Sequence, residues 1–146
     1  MNKQKCKGFT LIDISIAAAI IGALASTAYP SLAKHYVAMH RTDAKIALQG
    51  LAMKLERRYA VDSSYLVDGA IPELGCAQCI FPNQAPIDGA HKFYDVEITE
   101  ATNHTYLLSA IPIAGSGQET DACGTLTLNS TGAKNAGGTG ESCWDR

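Results

Sequence analysis

The stretch FTLIDISIAAAIIGALASTAY, Phe9 to Tyr29, decides how the rest of the chain is read. In these 21 residues Asp13 is the only charged side chain. About twenty apolar residues are enough to cross a bilayer as a helix. A secretory signal peptide would have a shorter apolar core followed by a small-residue cleavage site. Leu24-Ala25-Ser26 meets that rule weakly, but the run is too long and its end, Ala-Ser-Thr-Ala-Tyr-Pro, merges into a helical pattern. The eight residues ahead of it carry Lys3, Lys5 and Lys7 and no acid. The positive-inside tendency keeps them in the cytoplasm and sends the remainder across the membrane.

Outward from Pro30 the pattern turns amphipathic. Val37, Ala44, Leu48, Leu51, Leu55 and Tyr59 recur at helical spacing and make one apolar face. Arg41, Asp43, Lys45, Lys54, Glu56, Arg57 and Arg58 mostly fall off that stripe. The simplest account is one long helix from about Phe9 to Ala60, apolar all round in its first half and one-sided in its second. Gly50 weakens its interior by about 1 kcal/mol relative to alanine. Asp62-Ser-Ser stops it, and a Gly, Pro, Asn and Asp-rich stretch to about His91 reads as a long connecting loop.

Three strand-like runs follow. From Phe93 to Thr99, Tyr94, Val96 and Ile98 alternate with Asp95, Glu97 and Thr99; Thr105 to Ile113 is the second run; Gly124 to Asn129 is the third, with Leu126 and Leu128 on one face. Such alternation predicts antiparallel strands with one buried side. Asn103-His104 and Gly115-Ser-Gly117 supply the turns. The tail Gly132 to Gly140 is rich in glycine and is expected to be mobile unless Cys143 closes it. The fold class is therefore α+β, a long N-terminal helix packed on a small antiparallel sheet.

Charge and cysteines bound the function. The net charge is −2, but beyond Ala60 only Lys92, Lys134 and Arg146 stand against eleven acids, a net of −8. Nucleic acid is disfavoured as a partner by that count, because phosphate binding releases counterions through exposed cations. A local stripe of Lys92, Lys134 and Arg146 is the one exception to weigh. Of five cysteines, Cys6 lies in the leader and four lie in the exported part, which suits disulfides. Four cysteines allow three pairings. Cys123 with Cys143 is favoured, since a bridge there encloses the glycine-rich tail and restricts it by roughly 3 kcal/mol of chain entropy. Cys76 would then pair with Cys79 in a small ring. Its redox alternative lacks a thioredoxin-like βαβ setting, and zinc is disfavoured by the wide spacing of the second pair. His35, His40, His91 and His104 form no ligand spacing, and no nucleophile is placed beside a base. Neither an enzyme, a metal nor a cofactor is expected.

Lys7-Gly8-Phe9-Thr10-Leu11-Ile12-Asp13, followed by the apolar run and Ala28-Tyr29-Pro30-Ser31, resembles the N-terminus of type IV pilins. Arg41-Thr-Asp-Ala-Lys45 through Leu55-Glu-Arg-Arg-Tyr59 looks like the second half of a pilin helix. Asp121-Ala-Cys-Gly-Thr-Leu-Thr-Leu-Asn-Ser-Thr-Gly132 with Cys143-Trp144 looks like the closing segment of PilE-like minor pilins. The resemblance implies the pilin fold, a cut by prepilin peptidase between Gly8 and Phe9, and methylation of the Phe9 amine. It divides the chain into a leader, 1–8, a transmembrane helix that becomes the filament core, 9–30, and a head, 31–146. It also implies that Asp13, where the family nearly always has Glu, pairs with the N-terminal amine of a neighbouring subunit. Asp is one methylene shorter, and this favours a minor over a major pilin.

Gly22 and Pro30 are expected to mark a helix break: a kink at Pro30, which cannot donate to the Ser26 carbonyl, and an unwinding of the 22–30 stretch on assembly. The partners implied are other pilin subunits, prepilin peptidase, the inner-membrane assembly platform and inner-membrane lipid before assembly. The subunit would sit in the inner membrane with its head in the periplasm, then in an extracellular pilus serving adhesion, twitching motility or DNA uptake. The alternatives are a DNA-binding minor pilin of a competence pilus and a pseudopilin of a type II secretion system.

Overall fold

The computed structural model describes residues 9–145. The leader 1–8, with Gly8, and Arg146 lie outside the described residues. One helix, α1 (Leu11–Asp62), is followed by five strands: β1 (Gln84–Ala85), β2 (Tyr94–Ala101), β3 (Tyr106–Pro112), β4 (Leu126–Asn129) and β5 (Lys134–Ala136). The strands form a single antiparallel meander in chain order.

By its internal contacts the chain falls into two units divided between Tyr36 and Val37. In the first, every residue from 9 to 29 is exposed within its own chain, with Phe9 at 89%. Helical backbone continues through Gly22 and Pro30. Hydroxyls in this apolar stretch turn back onto the helix: Ser15 donates to the Ile12 carbonyl at 2.8 Å, Ser26 to Ala23 at 2.8 Å and Thr27 to Leu24 at 3.0 Å. A polar group so satisfied costs little in a medium without water.

In the second unit, α1 buries Ala44, Ala47, Leu48, Leu51 and Leu55 completely, along the face the spacing predicts, with Val37 and Tyr59 half-buried at its ends. They pack with Tyr94, Val96 and Ile98 of β2, Tyr106, Leu108 and Ala110 of β3, and Leu126 and Leu128 of β4. Strand β2 alternates as expected and runs two residues past Thr99, through a bulge between Ile98 and Glu100. The helix ends where Ser63 turns to a φ of 54° and its amide donates to the Tyr59 carbonyl at 2.8 Å.

Gly50 has a reason beyond propensity. A Cβ built there would lie 2.9 Å from the tip of the Phe81 ring, so the glycine lets the loop after α1 settle on the helix.

Two strands depart from the expectation. β1 is two residues inside the connecting loop, and β5 lies within the glycine-rich tail. Lys134–Ala136 pairs with β4, and the ladder continues as Gly137, Gly138 and Gly140 donate to the carbonyls of Thr125, Cys123 and Ala122. A Cβ on Gly138 would stand 2.1 Å from the Ala122 oxygen, and one on Gly140 would stand 2.9 Å from the Cys123 sulfur. These glycines permit close backbone approach, and the tail they form is paired.

Candidate functional site

The N-terminal segment shows what its one acid does in a lone chain. Thr10 is the N-cap of α1, and its amide and hydroxyl donate to the Asp13 Oδ2 at 3.0 and 2.7 Å, while the Asp13 amide approaches the Thr10 Oγ1 at 3.4 Å. This is a reciprocal capping box, with Asp13 in the place of the usual Glu. The pattern Thr-x-x-Asp is visible in the sequence, but a reading of Asp13 as a contact between subunits passes over it. A carboxylate near a helix N-terminus is also favoured by the helix dipole.

In the head, the element that organises the C-terminal segment is a buried carboxylate. Asp121 receives Arg41 Nε at 2.8 Å and Nη2 at 2.5 Å, the Tyr94 hydroxyl at 3.1 Å and the Cys123 amide at 3.0 Å. Gln118 Nε2 donates to the Tyr94 hydroxyl at 2.9 Å and to the Val37 carbonyl at 3.2 Å. Burial pushes the Asp121 carboxyl up, but the hydrogen bonds from Arg41 and the Cys123 amide outweigh it and hold the group below its ordinary value. Burial raises Tyr94 to about 12. Helix, sheet and C-terminal segment thus share one network, which the 80-residue separation of Arg41 and Asp121 hid from the sequence.

A second network closes the far end of the helix. Tyr65 and Tyr106 both donate to the Glu56 carboxylate, at 3.1 and 3.0 Å, while Tyr59 stacks on Tyr65 and its hydroxyl meets His104 Nδ1 at 3.2 Å. Burial, then the bond to Glu56, raises Tyr65 to about 12 and raises Tyr106 as well.

The cysteines are joined as Cys76–Cys79 and Cys123–Cys143, with sulfurs 2.06 and 2.01 Å apart. The second pair is buried; Cys76 is exposed and Cys79 half-buried. Glu73 lies within 4.8 Å of the Cys76 and Cys79 sulfurs, the one metal-compatible group among the described residues. Sulfurs that share a bond offer no thiolate to a metal. Two open grooves flank this ring, one lined by Lys54, Phe81 and Asn83, the other by Arg58, Glu73 and Ile80.

Of the stripe of Lys92, Lys134 and Arg146, the first two are among the described residues. Lys92 donates to the carbonyls of Pro86 and Ile87, whereas Lys134 Nζ sits 5.5 Å over the Trp144 ring and Arg146 lies outside the described residues. Trp144 Nε1 donates to the Asn135 carbonyl at 2.7 Å and so covers the edge of β5. The basic side chains of the head lie largely on α1, where Lys54 and Arg57 are exposed. A count that begins at Ala60 leaves them out.

Residues 30–127 match the family described as type IV minor pilin ComP, DNA uptake sequence receptor. The non-core minor pilin PilV of Neisseria meningitidis shares the fold with a TM-score of 0.50 at 19% identity, over 75% of this chain and 94% of that one. A type IV pilin from Shewanella oneidensis aligns with a TM-score of 0.47 at 22% identity, over 75% and 99%. No curated protein matches the sequence.

Proposed function

The chain belongs to the ComP family of type IV minor pilins, and from that premise we propose that residues 9–29 carry it into a filament by exchanging lipid for the helices of other subunits. The observation that supports this is the exposure of the whole apolar stretch within its own chain, where no side chain from 9 to 29 finds cover. An uncovered apolar helix of that length requires either hydrocarbon or other helices around it. Prepilin peptidase would cut between Gly8 and Phe9, Phe9 would be methylated on its new amine, and the inner-membrane platform would lift the subunit out.

On incorporation, Asp13 exchanges one partner for another. Its carboxylate, capped by Thr10 in the lone chain, meets the Phe9 amine of a neighbour, so that neither charge is left alone in an apolar core. The 22–30 stretch, helical here, would lengthen in the filament, since glycine and proline make it the weakest part of the helix. The role is structural, and no reaction is proposed.

Immunogold labelling of sheared pili together with mass analysis of the subunit's N-terminus tests this reading. Methylated Phe9 on a pilus-associated chain is the expected result; an uncut N-terminus, or absence from pili, overturns it.

A second reading, DNA reception by the exposed head, is favoured by the description of the matched family. Exposed Lys54, Arg57 and Lys134 offer phosphate contacts. Duplex DNA retained by the purified subunit at low salt and released as salt rises supports it; no retention at low salt ends it.

A further inference from the structure

The two disulfides differ in every property that governs exchange with an external thiol. Cys123 and Cys143 are 1% and 6% exposed, and their bridge spans a sequence separation of 20. Cys76 is exposed, its separation from Cys79 is 3, and open grooves reach the sulfurs from both sides. Closing a short loop removes less entropy from the open chain than closing a long one, so the smaller ring is held more weakly.

Exchange proceeds by attack of a thiolate, which must reach the sulfur it attacks. Lys54 and Arg58 line the two grooves, but Arg58 is tied to Asp62 at 3.2 Å and Glu73 faces the sulfurs, so access and ring size distinguish the pair rather than charge.

We propose that Cys76–Cys79 is a thiol–disulfide exchange site, reduced by an external dithiol while Cys123–Cys143 stays closed. The thiolate of the dithiol attacks the exposed Cys76 sulfur, forming a mixed disulfide and releasing Cys79 as a thiolate, which takes up a proton. The second thiol of the reagent then displaces Cys76, leaving two protein thiols and an oxidised reagent. Two electrons pass from reagent to protein.

Reduction frees a loop that is otherwise drawn in at both ends. The Gly75 amide donates to the Phe81 carbonyl at 2.9 Å, the Cys79 amide to the Cys76 carbonyl at 3.1 Å, and the Phe81 ring lies over Gly50. With the ring open, the 75–81 segment is held by these bonds and by the packing of Ile80 and Phe81 against the core. The segment between α1 and β1 therefore changes its mobility with the thiol status of its surroundings.

The test uses the full-length subunit in detergent, held in graded mixtures of reduced and oxidised dithiothreitol, alkylated and mapped by mass. Cys76 and Cys79 are expected to label about 100-fold faster than Cys123 and Cys143, with the far-ultraviolet dichroism of the folded head unchanged. Simultaneous labelling, labelling of Cys123 and Cys143 first, or labelling only as the head unfolds would overturn the proposal.

Discussion

The two parts of α1 on either side of Tyr36 have the same backbone and opposite circumstances. Residues 37–62 satisfy themselves inside the chain: one face is buried under the sheet, Arg41 is tied to Asp121, and Glu56 receives two tyrosines. Residues 9–29 turn their hydroxyls and their one acid back onto the helix and leave every apolar side chain uncovered. Secondary structure alone therefore says little about a helix, since the medium each part is built for is written in what its side chains lack.

The largest effect that separates the two parts is expected at Arg41. Arg41→Ala leaves the Asp121 carboxylate buried without its cation and should cost about 3–5 kcal/mol of head stability, read by denaturant unfolding. Leu51→Ala, in the fully buried stripe, should cost about 2–5 kcal/mol by the same measurement. Ile16→Ala, whose side chain finds no cover in its own chain, should leave that unfolding curve in place and lower the amount of subunit recovered in pili. If Ile16→Ala destabilised the head as much as Leu51→Ala, the division of labour would be wrong.

Titration should act on the head through groups packed around the second part. Tyr65 and Tyr94 are raised from about 10 to about 12, so the folded head holds their protons after the unfolded chain has lost them. The stability they supply is complete below pH 10 and drains away as the pH climbs towards 12. Asp121 is depressed, so its contribution is complete above the ordinary carboxylate range and is lost as the pH falls below it, through the folded value. Thermal unfolding followed across pH should show both edges, and Tyr94→Phe should soften the alkaline one.

The smallest effect compares two glycines of one helix. A Cβ at Gly22 meets nothing, so Gly22→Ala should stabilise the helix by up to about 1 kcal/mol and, by stiffening it, hinder incorporation into pili. The same change at Gly50 drives a methyl to within 2.9 Å of Phe81, so the gain in helix propensity should be cancelled or reversed. Melting curves of the two variants, read side by side, check this.

Local pattern made the helix, its buried stripe and the alternating strands legible, because periodicity depends on nothing outside the segment itself. Closure of the glycine-rich tail pointed to Cys123 with Cys143, and Cys76 with Cys79 is the pair that remains. What escaped was non-local or too short to show a period. β5, Lys-Asn-Ala, has no alternation of its own and exists because β4 and Trp144 hold it. The partnership of Arg41 with Asp121 and the seat of Phe81 on Gly50 join residues far apart in the chain. At the candidate assembly segment the apolar length and the lone acid were plain, while the Thr10–Asp13 capping box was a signal present and overlooked.

Amide exchange along α1, measured on detergent-solubilised subunit and on intact pili, tests the central claim most directly. The account predicts that 44–55 is protected equally in both, that 11–21 stays protected in pili because other helices have replaced detergent, and that 22–30 loses protection there. Fast exchange of 11–21 in pili would contradict it, since the apolar part of the helix would then face water in the very assembly that is meant to cover it.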